Sequence, residues 1–363
     1  MREKKIILKI LIFIVLLSNI FLCACKTKKN REVLHVYNWG LYIDEECIDL
    51  FEKKYNVDVI YDMFDTNEEM FAVVKNAGRV YDVICPTDYM IEKMIRLDML
   101  QKIDKNNIIN LKNVDEKIFD KLKQFDKNND YAIPYVYSTI GIIVNNTLLK
   151  NMGIDKKITS WSDLWDIRFD KSILMQDAMR DLLMVGLKKN NFSMNTKNIN
   201  EINIAKDDLI NQKQLVSAYV IDQIRDKMVQ GDAALGVTYS GEVEYIKNEG
   251  YDLGFDYTYV IPEEGTNLTI DAWVIPKNAK NKRLAEKWID FMCEKEIALK
   301  NFNVMHYGIP NKEVIDIIDE KFLRDEAVFP DLNKIDKYEL YKDLDDFESV
   351  YNDCWKEIKS ERD

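Results

Sequence analysis

The stretch VLHVYNWGLYIDEECIDLFEKKYNVDVIY, residues 33–61, indicates an α/β fold because its apolar pattern changes period twice. Val33 to Asn38 is typical of a buried strand, and a turn at Gly40 leads to a helix with Asp44 as a plausible N-cap. Residues 57–61 then alternate as a second strand. The apolar positions of the helix recur at helical spacing: Cys47, Leu50, Phe51 and Tyr55.

The same alternation continues outward from this stretch. A helical pattern surrounds Phe71 and Val74, and residues 81–85 form a short apolar run. Strand, helix, strand, helix and strand in this order predict a parallel sheet covered by helices.

The pattern restarts later in the chain. Residues 131–145 are expected to make two passes near a domain junction, residues 160–165 to form a helical segment, and residues 234–238 to form a strand. Another strand is predicted over 272–275, before Pro276 and an amphipathic helix. A chain of 363 residues exceeds what one core usually serves, so we expect two domains. No compositional seam separates them, which suggests that the chain crosses between them more than once.

The amino terminus resembles a bacterial lipoprotein signal peptide. A basic start precedes the apolar run 10–22, which is too short for a comfortable membrane span, and the run ends on Leu22-Cys23-Ala24-Cys25. An ordinary signal peptide that contains cysteine is the alternative. We expect residues 1–24 to be removed, Cys25 to be lipidated, and residues 25–30 to form a tether that anchors the protein outside the cytoplasm.

The chain is acidic, with 63 Asp and Glu against 51 Lys and Arg, and a net charge of −12. Removing the first 24 residues makes the chain more acidic still. This charge argues against nucleic acid, whose phosphates require basic patches, and suits a cationic ligand. Solubility alone is the other explanation for the charge.

Catalytic and metal-binding motifs are missing from the sequence. It holds two histidines and 12 glycines, with no HExxH, GxSxG, phosphate-binding loop or dinucleotide fingerprint. We therefore expect no enzyme, no cofactor and no metal. Four cysteines beyond the amino terminus lack zinc spacing, and their disulfide state is left open: Cys47, Cys85, Cys293 and Cys354. Cys47 is on a predicted apolar helix face and Cys85 ends a predicted strand, so these two are expected to be small buried hydrophobes.

Several segments, in order along almost the whole mature chain, resemble the spermidine/putrescine-binding protein family, the solute-binding components of polyamine ABC transporters. They are YNWGLY at 37–42, YDVICPTDY at 81–89, SWSDLWDI at 160–167, DAMRD at 177–181, YSGE at 239–242, ID at 270–271, PKNAKNK at 276–282 and HYGIPN at 306–311.

The resemblance implies two α/β lobes hinged around a ligand cleft, which is the periplasmic-binding-protein fold, with several hinge crossings. The first lobe would hold residues 31–138 and 272–318, and the second 139–271 and 319–363. The matched motifs follow strands, where ligands bind in open α/β sheets.

The resemblance also implies a set of ligand-binding residues. Aromatic walls would pack on the methylenes of a polyamine and attract its ammonium groups, while carboxylates would fix the ammonium positions. Asp271 carries the most weight, because an acid beside a buried strand is costly without a partner; a solvent-reaching strand-edge acid is the alternative. The predicted ligand-binding residues are Trp39, Tyr42, Thr87, Tyr89, Asp181, Tyr239, Glu242, Asp271 and Tyr307.

Asp177 is a weaker candidate, and His306 is expected at the rim. Thr269 stands where many family members have an aromatic ring, and Tyr239 replaces a common tryptophan. The sequence therefore does not distinguish spermidine from putrescine as the ligand. The expected partners are a polyamine, the ABC permease subunits and the membrane through the lipid anchor, with the protein acting as a monomer. The alternatives are another small solute on the same fold, or a lipid-anchored hydrolase.

Overall fold

The computed structural model describes residues 31–76, 78–332 and 337–360. The predicted signal peptide and Cys25 lie outside the described residues. Within those ranges, the helices are too short or too polar to cross a membrane.

The first sheet forms because apolar strands from three parts of the chain pair side by side, in the order β2-β1-β3-β12-β4, with β5 also paired to β12. Strands β1, β2 and β3 are parallel, with Val36 opposite Tyr61 and Val83, whereas β12 runs antiparallel to its neighbours. Its strands are β1 (Val33–Trp39), β2 (Asp58–Phe64), β3 (Val83–Ile84), β4 (Leu100–Gln101), β5 (Ala132–Ser138) and β12 (Thr269–Pro276).

The second sheet has the order β10-β6-β9-β7-β8. Strand β7 is parallel to β8 and β9, and β6 is antiparallel to β9 and β10. Its strands are β6 (Ile140–Asn145), β7 (Ile173–Gln176), β8 (Val216–Val220), β9 (Leu235–Tyr239) and β10 (Tyr257–Val260). A small parallel pair joins β11 (Thr266–Asn267) to β13 (Tyr338–Glu339).

Helices pack on these sheets through their apolar faces. Those before the second sheet are α1 (Glu46–Tyr55), α2 (Asn67–Lys75), α3 (Asp88–Arg96) and α4 (Glu116–Lys121). Those of the second sheet are α5 (Asn146–Asn151), α6 (Met179–Lys189), α7 (Ile199–Gln212), α8 (Ile224–Val229) and α9 (Val243–Asp252). The later ones are α10 (Lys282–Met292), α11 (Lys295–Met305), α12 (Lys312–Ile315), α13 (Glu320–Leu323) and α14 (Glu348–Ser360).

The chain passes between the two sheets three times. Strand β5 leads through Thr139 directly into β6, β12 returns to the first sheet after β11, and the carboxyl-terminal helix α14 packs on α6 and α7 beside the second sheet. The predicted two-lobed fold and its repeated crossings are therefore present.

Buried side chains cover both sheets, and one core cluster includes residues of each, such as Ile84 of the first and Ile173 of the second. On the first sheet, the rings of Trp273 and Phe51 both meet Trp288 edge-on, at 5.9 Å and 5.0 Å between ring centroids. The spacing of Cys47 and Phe51 correctly predicted the buried face of α1. All four cysteines named above are buried and free, and the predicted burial of Cys47 and Cys85 is confirmed.

Two local predictions need correction. The strand predicted to begin at Ala272 begins at Thr269, so Asp271 lies inside it and the predicted boundary at 271/272 divides the strand. The register shifts between Asp271 and Ala272, opposite Pro134 of β5. Because proline cannot donate to a sheet ladder, a bulge at this position lets the strand continue past it. The helical segment predicted at 160–165 is a 3₁₀ turn, Trp161–Trp165.

Candidate functional site

A cavity lies where the carboxyl ends of strands from both sheets meet, as expected for open α/β sheets. Trp39 ends β1, Thr87 follows β3, and Tyr239 ends β9. All nine residues predicted from the sequence line this one cavity: Trp39, Tyr42, Thr87, Tyr89, Asp181, Tyr239, Glu242, Asp271 and Tyr307.

Asp271 presents an unsatisfied carboxylate oxygen in this cavity. Its side chain is 3% exposed, its Oδ2 accepts a 2.6 Å hydrogen bond from the Tyr42 hydroxyl, and its Oδ1 has no partner among the described residues. Burial raises the pKa of Asp271 to about 7, although the Tyr42 hydrogen bond favours the ionised form. Because this side chain is buried, the strand-edge alternative, in which the acid reaches solvent, is wrong.

Aromatic rings form the wall around Asp271. The Tyr42 ring meets the Tyr307 ring edge-on, with 5.1 Å between ring centroids. Trp39 is tilted against both Tyr42 and Phe64, at centroid distances of 6.4 Å and 4.5 Å. Gly241 makes room for the Tyr307 ring, because a β-carbon at that position would overlap it. The rings are therefore held by neighbours on several different elements.

Asp181 is the second deeply buried carboxylate of the cavity, in the first turn of α6. Its Oδ2 accepts a 2.6 Å hydrogen bond from Tyr239, and its Oδ1 accepts one of 2.8 Å from Tyr341. Burial raises the pKa of Asp181, while both phenol hydrogen bonds and the charge of Arg180 oppose that rise.

Thr87 and Tyr89 line the cavity at the start of α3. The Thr87 hydroxyl accepts a 2.7 Å hydrogen bond from the Asn67 amide, and it makes no helix-capping hydrogen bond. The Tyr89 hydroxyl donates to Glu68 Oε1 at 2.9 Å. The Thr87 side chain therefore does not cap α3, and its hydroxyl belongs to the cavity wall.

Glu242 has a basic neighbour that the sequence did not reveal. Its Oε2 lies 3.4 Å from Nε of Arg225, whose guanidinium stacks on the Tyr245 ring at 3.6 Å. Burial raises the pKa of Glu242, and the charge of Arg225 opposes that rise.

Asp177 and His306 do not line the cavity. Asp177 forms an ion pair with Lys359 of α14, at 2.6 Å, so this carboxylate already has a cation. His306 packs between the rings of Phe302 and Phe322 and does not line the cavity. Thr269 does line it, and its hydroxyl accepts a 2.6 Å hydrogen bond from Asn267.

The sequence reasoning missed several residues of the wall. Asp65, Thr66, Asn67 and Glu68 directly follow β2, so the rule that ligands bind beyond strand ends could have found them. Asp222 follows β8 in the same way. Arg180 stands beside Asp181 in a motif already quoted, whereas Tyr341 comes from an irregular carboxyl-terminal segment and carries no local signal.

Two helix-covered sheets, three crossings and an acidic, aromatic cavity supplied by both sheets define a two-lobed binding protein. The sequence profile of the bacterial extracellular solute-binding proteins matches residues 46–330, and the chain belongs to that family.

Three named relatives resemble this chain over most of its length. The chain is 31% identical over 334 residues to a spermidine/putrescine-binding periplasmic protein of Salmonella typhimurium, covering 92% of this chain and 93% of that protein. A solved Listeria monocytogenes chain assigned to spermidine/putrescine transport is 34% identical, with a TM-score of 0.85 over 91% of this chain and all of that one.

A spermidine/putrescine ABC transporter substrate-binding protein from Streptococcus pneumoniae is 32% identical, with a TM-score of 0.76 over 90% of this chain and 98% of that one. The predicted resemblance to the spermidine/putrescine-binding proteins is confirmed.

Proposed function

We propose that this protein captures a polyamine, spermidine or putrescine, and delivers it to an ABC import permease. The observation that carries the proposal is Oδ1 of Asp271, which has no partner within the described ranges and belongs to a 3% exposed carboxylate in an aromatic cavity. An anion in this position is costly to bury, and a bound ammonium group supplies the missing hydrogen-bond donor and the compensating charge.

The walls suit the remainder of such a ligand. Tyr42, Trp39 and Tyr307 offer ring faces and edges to methylene groups, and rings near an ammonium add up to about 2 kcal/mol for each desolvated contact. Asp181 offers a second carboxylate from the other sheet, so a ligand with an ammonium at each end contacts both lobes at once. Such a ligand favours the closed arrangement of the lobes.

The names of the relatives support the same ligand class. The Salmonella protein is named for binding spermidine and putrescine, and the two solved chains are named for the same transport system. We assign the first lobe to residues 31–138 and 272–318 and the second to 139–271 and 319–363, with one adjustment. The boundary that was placed between residues 271 and 272 moves to before Thr269, because β12 belongs as a whole to the first sheet.

Export and anchoring complete the proposal. Cleavage before Cys25 and lipidation of that residue would tether a monomer to the outer face of a membrane, where it meets its permease. The Leu22-Cys23-Ala24-Cys25 sequence supports this step.

Calorimetric titration of the mature protein with spermidine and with putrescine tests the proposal. We expect at least one dissociation constant below 100 µM, which corresponds to about −5.5 kcal/mol. If neither amine reaches this affinity at pH 8, the polyamine assignment is wrong, and another small solute of the family becomes the candidate.

A further inference from the structure

Asp181 is held from two sides by phenol groups. Tyr239, at the end of β9, donates to Oδ2 at 2.6 Å, and Tyr341, two residues after β13, donates to Oδ1 at 2.8 Å. The sheet therefore fixes one oxygen and the carboxyl-terminal segment fixes the other.

Tyr341 is itself fixed by its neighbours. Its ring meets Tyr89 edge-on at 5.9 Å and lies 4.6 Å from the guanidinium of Arg180. The backbone on each side of it is bonded to one side chain, since Asn195 Nδ2 donates to the carbonyl of Leu340 at 2.8 Å and Asn195 Oδ1 accepts from the amide of Lys342 at 2.8 Å. The phenol consequently reaches Asp181 from a rigid support.

With two phenol donors bound, the Asp181 carboxylate can still accept hydrogen bonds from a cation. A carboxylate has about four acceptor positions, so one hydrogen bond on each oxygen leaves a further lone pair on each. The donors also favour the ionised carboxylate, so they oppose the rise in pKa that burial causes, and they restrict the rotation of the carboxylate.

We propose that Tyr341 is a positioning residue for the ligand cation, acting through Asp181; this inference rests on the proposed function. Tyr341 opposes the rise in the pKa of Asp181 and holds the carboxylate in place at the cavity wall. The carboxyl-terminal segment thereby takes part in ligand selection without supplying the carboxylate itself.

Tyr341→Phe removes the hydroxyl and keeps the ring. We expect the dissociation constant for putrescine to rise about tenfold at pH 8, in line with the loss of one hydrogen bond to a charged group. The loss should grow as the pH falls to 6, because Asp181 without this donor takes up a proton more readily. Calorimetry across this pH range gives both quantities.

Tyr351→Phe is the matched control. Tyr351 is also buried and lies 5.5 Å from the Arg180 guanidinium, but its hydroxyl donates to the carbonyl of Thr196 at 2.9 Å. Its loss should leave the affinity and the pH profile of wild type unchanged.

A second pair of variants tests whether the effect passes through Asp181. In an Asp181→Asn background, measured at millimolar putrescine, Tyr341→Phe should add less than a twofold loss. A full tenfold loss in that background would overturn the inference, as would a Tyr341→Phe protein whose affinity and pH profile match those of wild type. Wild-type protein that binds neither polyamine contradicts the proposed function instead, so the two failures are distinguishable.

Discussion

The hydroxyl of Tyr42 donates a 2.6 Å hydrogen bond to Oδ2 of Asp271, although the two residues stand 229 positions apart in the chain. Tyr42 follows β1, and Asp271 lies inside β12, next to a shift in the register with β5. The bond leaves Oδ1 of Asp271 as an acceptor without a partner in the part of the chain that the structure describes. The first two predictions concern this carboxylate and its Oδ1.

Asp271→Asn should weaken binding of spermidine or putrescine by at least tenfold, because a neutral amide cannot compensate an ammonium charge. The melting temperature of the ligand-free variant at pH 8 should equal or exceed that of wild type, because the substitution removes a buried negative charge. Calorimetry and thermal unfolding measure the two effects. Asp177→Asn, which alters a carboxylate paired with Lys359 away from the cavity wall, is the control and should keep wild-type affinity. A large fall in melting temperature for Asp271→Asn would point to a structural role.

Affinity should fall on acidification below about pH 7. Burial raises the pKa of Asp271 from 3.8 to about 7, so the free protein carries a proton there in mild acid, and an ammonium ligand must displace it. The dissociation constant should rise toward tenfold per pH unit below that value, with proton release detectable in buffers of different ionisation enthalpy. Asp271→Asn should flatten most of this dependence, and an equally steep profile in that variant would assign the proton to another group.

The same carboxyl makes the ligand-free protein less stable at higher pH. Because its folded-state pKa is raised, the native state binds the proton more tightly than the unfolded chain does. Its contribution to the unfolding free energy is therefore present near pH 4 and lost as the pH rises through about 7. Denaturant titrations at pH 5 and pH 8 should show that the unfolding free energy falls less between these two pH values in Asp271→Asn than in wild type. Parallel decreases would exclude Asp271 as the cause.

Gly241→Ala should reduce ligand affinity by displacing the Tyr307 ring, which a β-carbon at residue 241 would overlap. Gly78→Ala is the control, since no atom lies within 4 Å of the corresponding position. Titration calorimetry should separate the two variants by tenfold or more. Equal affinities would mean that the Tyr307 ring can move without cost to the site.

Cys25→Ala should abolish labelling with radioactive palmitate and release the protein from the membrane fraction. Cys23→Ala, two residues earlier in the same tetrapeptide, should retain the label, because the small Ala24 and Cys25 keep their places. Labelling that persists in Cys25→Ala would exclude this residue as the anchor.

The local sequence determined the kind of fold and the greater part of the cavity wall. Helical and strand periodicity placed Cys47 and Phe51 on the buried face of α1, and residues that follow strands, such as Trp39 and Tyr239, lie at the cavity. These predictions succeed because periodicity and strand ends are local properties, and because parallel strands bring their carboxyl ends to one edge.

Only the tertiary structure decided how the carboxylates are used. Asp177 and Asp181 are four residues apart at the start of one helix region, yet Asp177 pairs with Lys359 while Asp181 faces the cavity beneath Tyr341. The pairings join residues more than 150 positions apart, so no spacing in the sequence encodes them. The hydrogen bond that occupies Oδ2 of Asp271 likewise comes from Tyr42, a residue 229 positions away in the chain. The sequence determined which residue types lie at the cleft, and long-range packing determined which of their oxygens remain free for a cation.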